Sequence, residues 1–355
     1  MFAKVGSRNS LPFGVKIALF GLLFGGGLVY AISSCRMPGS SFHGPLPPPT
    51  TSENQTAGRL RSHVEFLCNV AGKRDYTNPA GLEQSADMIF SEFSRLGYSV
   101  KREKVPSPDF LHSSSGAEVK FWNIVAEKSG TTRPEEVLVV GAHYDTCAGT
   151  GTVGADDNAS GVAGLLELAR QLSSSQTART VRFVAFANEE PPFFKTDYMG
   201  SRVHARESAE RGDKIVGMLC LEMIGYYSSE LGSQQYPFPL EKVLSKVYPS
   251  TGNFVAFVSD VSSRKLLSRS LLVFRESAKF PSEGVFLPRW IQGIDWSDHA
   301  SFWKYGIPAV MITDTAIYRN HFYHTPMDTP DSLDYESMAR VVGGLEEVCL
   351  RLANE

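Results

Sequence analysis

Beyond about residue 58, the chain alternates between two apolar rhythms. Leu60, Val64 and Leu67 recur at helical spacing within Arg59–Val70, and Pro79–Leu96 forms a second helical stretch closed by Gly97. Tyr98–Val105 and Val119–Ala126 read as strands. Val137–Ala142 is apolar throughout, which predicts a strand buried on both faces. The order then continues as helix Ser160–Leu172, strand Val181–Ala187, helix Gly200–Ala209, strand Ile215–Leu221, helix Ser297–Tyr305, strand Ala309–Thr313 and helix Tyr335–Leu352. Strands alternating with helices predict the α/β class: a single-domain, three-layer α/β/α unit with a mostly parallel central sheet. No internal repeat or second domain is visible, and Gly232–Trp290 mixes signals without resolving into elements.

The first 57 residues follow neither rhythm. Lys4, Arg8 and Lys16 precede an apolar run from Ile17 to Ile32, with Cys35 close behind, the pattern of an export signal. As a retained anchor the run is short and carries Gly21, Gly25, Gly26 and Gly27, whereas a span needs about 20 apolar residues. Ser33-Ser34-Cys35 resembles a bacterial lipoprotein processing site, although the usual leucine three before the cysteine is missing. The expectation is an exported protein, periplasmic or at the cell surface, attached to the membrane through a lipidated Cys35 or an N-terminal anchor. Residues 1–35 form that segment. Residues 36–57, with Pro45-Leu46-Pro47-Pro48-Pro49, read as a stiff linker, and 58–355 as the folded domain.

Composition adds two exclusions. A net charge of −3 without a long basic run gives no reason to expect nucleic acid. Cys68, Cys147, Cys220 and Cys349 match no dense disulfide scaffold; Cys220 sits in an apolar run as a small core residue, and any single pairing stays open.

The chemistry gathers where predicted strands end, the edge at which open α/β sheets bind ligands. His143 and Asp145 can project the same way, the imidazole binding a metal while its other nitrogen donates to Asp145. Asp156 and Asp157 repel each other at a helix start that only partly relieves them, and a cation resolves the conflict. Glu189 and Glu190 follow Val181–Ala187 and point to different places, so one can bind metal while the other moves protons. Glu222 and His324 complete the set. Nitrogen and oxygen donors without clustered thiolates suit zinc. With one bridging carboxylate, five side chains can hold two zinc ions, and three carboxylates plus a hydroxide balance their charge.

In order, the segments GAHYDT, GADDNASG, ANEE, LEMIG, SDHASFWKYGIPAV and YHTPMDT resemble the M28 family of metallopeptidases. The resemblance runs from about Gly58 to the C-terminus. It implies a zinc-exopeptidase fold and two Zn²⁺ per chain, with His143 and Glu222 on the first metal and Glu190 and His324 on the second. Asp156 would bridge them, just before a cis peptide to Asp157. Glu189 would be the general base, Asp145 would orient His143, and Asp298 would support the site from the outer layer. Simple bacterial aminopeptidases of the family carry aspartate where this chain has Glu222, a longer side chain that shifts the first metal or the space for the substrate amine.

The implied reaction is hydrolysis of the bond after a free N-terminal residue of a peptide, with Phe193, Phe194 and Tyr198 as candidate pocket walls. A carboxypeptidase, a glutaminyl cyclase and a non-catalytic binding module are the alternatives the same fold allows.

Overall fold

In this computed structural model residues 34–111 and 119–355 are described; the apolar run Ile17–Ile32 lies outside them. β3 (Arg133–His143) forms the middle of the molecule, as its unbroken apolar run requires. Leu138, Val140 and Ala142 enter one apolar core while Val137 and Val139 enter another, so alternate side chains feed opposite faces. Around it runs an eight-stranded mixed sheet in the order β1-β2-β4-β3-β5-β8-β6-β7. The other strands are β1 (Ser99–Val105), β2 (Phe121–Lys128), β4 (Arg179–Phe186), β5 (Lys214–Glu222), β6 (Val255–Ser259), β7 (Ser282–Phe286) and β8 (Ala309–Thr313). The central four, β4, β3, β5 and β8, are mutually parallel, while β1 and β2 attach antiparallel at one side and β6 pairs antiparallel with β8 at the other.

Helices cover both faces. On one lie α1 (Thr51–Glu65), α2 (Pro79–Arg95), α3 (Gly161–Leu172), α6 (Arg264–Ser277) and α8 (Tyr335–Asn354), which supply Leu60, Ile89, Leu165, Leu271 and Leu345 to the larger core; the short α5 (Glu241–Leu244) adds nothing to it. The smaller core takes Ala205 from α4 (Gly200–Arg211) and Phe302 and Trp303 from α7 (His299–Trp303). The three-layer α/β architecture expected from the alternation is present. No helix among the described residues is long and apolar enough to cross a membrane.

Two boundaries differ from the sequence reading. The stretch 232–290 contains β6, α6 and β7, which extend the sheet beyond β8. The linker expected up to residue 57 is also shorter, because α1 begins at Thr51. Thr50 accepts from the Glu53 amide while the Glu53 carboxylate accepts from the Thr50 amide, a reciprocal cap that starts the helix among polar residues. Nor does the segment before it run free: Arg275 donates to the Pro38 carbonyl and Arg340 to that of Pro47.

Candidate metal centre

Parallel pairing delivers the candidate residues to one edge. His143 ends β3, Glu189 and Glu190 follow β4, Glu222 ends β5, and His324 lies on the segment after β8. Asp145 ties two of these ends together: its carboxylate accepts from the backbone N–H of Glu189 and of Glu190, both at 3.0 Å, and lies 3.4 Å from His143 Nδ1. Ser297 donates to Glu222 Oε2 at 2.6 Å and fixes that carboxylate. Asp298, the next residue, is fully buried, and burial pushes its carboxyl up to about 7.

The turn between β3 and α3 carries the acidic pair. Gly154 opens it at φ +57, where an added Cβ would lie 2.1 Å from the Asp157 carbonyl, so only glycine fits. Asp328 accepts from the amides of both Asp156 and Asp157. Asn158 accepts from the Met223 amide and donates to the Leu221 carbonyl, pinning the turn to the end of β5. Within this frame the two aspartates face opposite ways. Asp157 reaches the histidines, with Oδ1 3.3 Å from His143 Nε2 and Oδ2 3.0 Å from His324 Nε2. Asp156 instead accepts from the Gly225 amide and the Asn320 side chain and faces the Asp314 carboxyl. The carboxylate between the histidines is therefore Asp157, a correction of one residue to the expected Asp156. The cis peptide is likewise Asp157–Asn158 rather than Asp156–Asp157.

The potential ligands fall into two groups that Asp157 joins. One is His143, Asp157 and Glu222; the other is His324, Glu190 and Cys147, and within each the donor atoms lie within 4.8 Å of one another. His324 Nε2 is 3.0 Å from Glu190 Oε1 as well as from Asp157. Cys147 is a member that the sequence reading passed over. It stands four residues past His143 on a loop whose course sequence alone does not reveal.

Arg74 sets that course. It is fully buried and donates to five backbone carbonyls: Tyr144 and Gly154 at the two ends of the loop, Val153, Leu67 and Gly72. Its own backbone exchanges two hydrogen bonds with Thr146, next to Cys147.

The electrostatics call for a cation. Burial, reinforced by Glu222, Glu190 and Asp298 and opposed by His143, raises the Glu189 carboxyl well above its ordinary range. Glu190 is raised in the same way by burial and by Asp157. Burial pulls His143 down, but Glu222, Asp145 and Asp157 outweigh it and hold the ring well above its usual value. Both ring nitrogens of this fully buried histidine lack a hydrogen-bond partner. Its 3.3 and 3.4 Å separations from Asp157 and Glu222 match the ~3.3 Å edge of a tetrahedron of ligands held about 2.0–2.1 Å from zinc. The residues fit a divalent metal.

A cavity of ≈ 130 Å³ opens beside Glu222 and Tyr323. Phe254, Val258, Leu287, Met311, Ile317 and Tyr318 supply much of its wall, mainly from the stretch left unassigned by periodicity and from the segment after β8. The expected wall residues lie elsewhere. Phe193 packs in the larger core edge-on to Tyr76 and Phe121, Phe194 is half-buried beside Lys195, and Tyr198 is exposed.

A sheet that brings two imidazoles and a set of buried carboxylates to its carboxyl edge defines an α/β protein with a candidate metal centre. The chain belongs to peptidase family M28, which residues 123–348 match. It is 42% identical over 306 residues to the uncharacterized protein YfbL of Escherichia coli K12, covering 84% of this chain and 88% of that one. It is 28% identical to leucine aminopeptidase 1 of Arthroderma otae over 61% of this chain, spanning 55% of the fungal protein. Its fold resembles a zinc aminopeptidase from Bacillus subtilis (TM-score 0.65, 16% identity, 84% and 95% of the two chains). A glutaminyl cyclase from Bacteroides thetaiotaomicron shares it too (TM-score 0.60, 15% identity, 82% and 96%).

Proposed function

We propose that this M28 peptidase is a two-zinc aminopeptidase that removes large apolar residues from peptide N-termini. The observation that carries the reading is Asp157 standing between two histidines, each accompanied by a further glutamate. His143, Asp157 and Glu222 would hold one ion, and Asp157, Glu190 and His324 the other. Zinc bound there would acidify a water and polarise the scissile carbonyl.

The chain's own residues supply the remainder. Asp145 holds Glu189 and Glu190 through successive amides, so the two carboxylates diverge from a fixed root. Glu189, buried beside His143, Glu190 and Glu222 and not needed as a ligand, is placed to take a proton from water and pass it to the leaving amine. Glu222, held by Ser297 at the mouth of the cavity, is placed to meet the substrate's free amine. The ≈ 130 Å³ apolar cavity suits one leucine- or phenylalanine-sized side chain, which agrees with the leucine aminopeptidases among the relatives. Two complete ligand groups favour this reading over a single-metal cyclase.

Adjacent substitutions test it. Glu189→Gln should keep both zincs and lose ~10²–10⁴ in turnover of leucyl or phenylalanyl amides, the scale of a positioned acid–base group. Glu190→Gln should lose zinc instead. N-blocked amides should not be cleaved. Near-normal turnover in Glu189→Gln, or equal cleavage of blocked substrates, would sink the mechanism or the aminopeptidase assignment respectively.

A further inference from the structure

The cysteines are not equivalent. Cys68 and Cys349 pack in the larger apolar core and Cys220 in the smaller. Cys147 belongs to neither and is nearly buried, with His324, Glu190 and Asp157 as its polar surroundings. Its Sγ, a Glu190 oxygen and a His324 ring nitrogen all lie within 4.8 Å of one another, so small side-chain shifts suffice to bring the three donors about 2.0–2.3 Å from one ion. The loop that presents the thiol is fixed: Thr146 on one side is bonded twice to the Arg74 backbone, and the Cys147 carbonyl accepts from Thr150 at 2.8 Å. A packing thiol would have apolar neighbours; this one faces two groups able to bind metal. In the joined half of the site, both nitrogens of the fully buried His143 lack a hydrogen bond although carboxylates of Asp145, Asp157 and Glu222 stand 3.3–3.4 Å away.

We propose that Cys147, as a thiolate, is a direct ligand of the metal held by His324 and Glu190. The inference rests on the two-metal reading above. The two positions are then chemically unequal, with the His143–Glu222 position bound through nitrogen and oxygen alone and the other also through sulfur. A soft thiolate donor favours zinc or cadmium over manganese or magnesium at that position, and binding releases the thiol proton to solvent.

X-ray absorption of the zinc-loaded full chain tests this without reference to activity. A sulfur shell at about 2.3 Å should accompany the nitrogen and oxygen shell at about 2.0–2.1 Å, near one sulfur per two zincs. Cys147→Ser should remove that shell and weaken one of the two zinc affinities by at least ~10-fold, the lower end of what even an outer-shell change costs. Circular dichroism checks that the variant folds, and Cys147→Ala replaces it if it does not. Two zincs with only nitrogen and oxygen neighbours would overturn the Cys147 proposal and leave the metallopeptidase reading standing. So would a sulfur shell that survives in Cys147→Ser, since another cysteine would be its source. Failure to take up zinc at all would overturn both.

Discussion

Asp156 and Asp157 show how much one residue decides. Both are buried acids in one turn, yet only Asp157 reaches His143 and His324. Asp157→Asn should therefore strip most of the bound zinc. Asp156→Asn should keep it while costing about 1–3 kcal/mol, because Gly225 and Asn320 donate to different oxygens and the amide turns one of these into an NH2 that faces a donor. Zinc content and melting of the two variants check this, and loss of zinc from Asp156→Asn alone would reverse the roles. His143, Glu190 and Glu222 were legible in the sequence because each ends or follows an apolar run that had to be a strand, whereas His324, well past β8, was legible only from its motif YHTPMDT. The choice within the acidic pair was not, since adjacent turn residues are told apart by backbone angles and by partners such as Asp328, 171 residues away from Asp157. Cys147 was hidden for a similar reason, its direction being set by a buried arginine far back in the chain.

At the level of elements, the central strands announced themselves and those beyond β8 did not. β8 falls where the pattern put it, and β3, β4 and β5 overlap their predicted runs closely. β6 and β7 are no shorter than β8 but lie in a stretch of mixed signals, and what makes them strands is pairing with β8 and with each other. The start of α1 was readable from Thr50 and Glu53 but is masked by a polar first half. That half has a structural task. Thr56 donates to the buried Glu167 of α3, and Arg59 pairs with the same carboxylate at 2.8 Å. A chain beginning at Gly58 loses the cap and the Thr56 bond, and leaves Glu167 partly unsatisfied. It should melt several degrees below a chain beginning at Arg36. Coincident melting curves would mean that the segment is a tether after all.

At the scale of the whole molecule, one source of acid sensitivity lies outside the metal ligands, at Glu103. Glu103 on β1 is buried, a circumstance that alone would raise its pKa, but hydrogen bonds from His204 and Asn123 prevail and lower it to about 2. Asn123 also accepts from the Ala187 amide and donates to the Gly200 carbonyl, so this cluster brackets the loop bearing Glu189 and Glu190. With the folded pKa below the ordinary 4.5, its stabilisation is complete above about pH 4.5 and is lost as pH falls through about 2. Up to about 3 kcal/mol should disappear across that window. Denaturant titrations at stepped pH should show the decline, and Glu103→Gln should flatten it. An unchanged slope in the variant would assign the acid lability to other groups.

Arg74 has a consequence of another kind. By gathering carbonyls from residues 67, 72, 144, 153 and 154, it joins stretches up to 80 residues apart much as a covalent staple would. Among the described residues Cys68, Cys147, Cys220 and Cys349 form no disulfide, so no sulfur bridge at this corner shares the task. A staple made of guanidinium and peptide oxygens has no reduction potential and responds to no thiol. The corner that carries His143 and Asp157 is therefore held equally well in reducing and in oxidising surroundings.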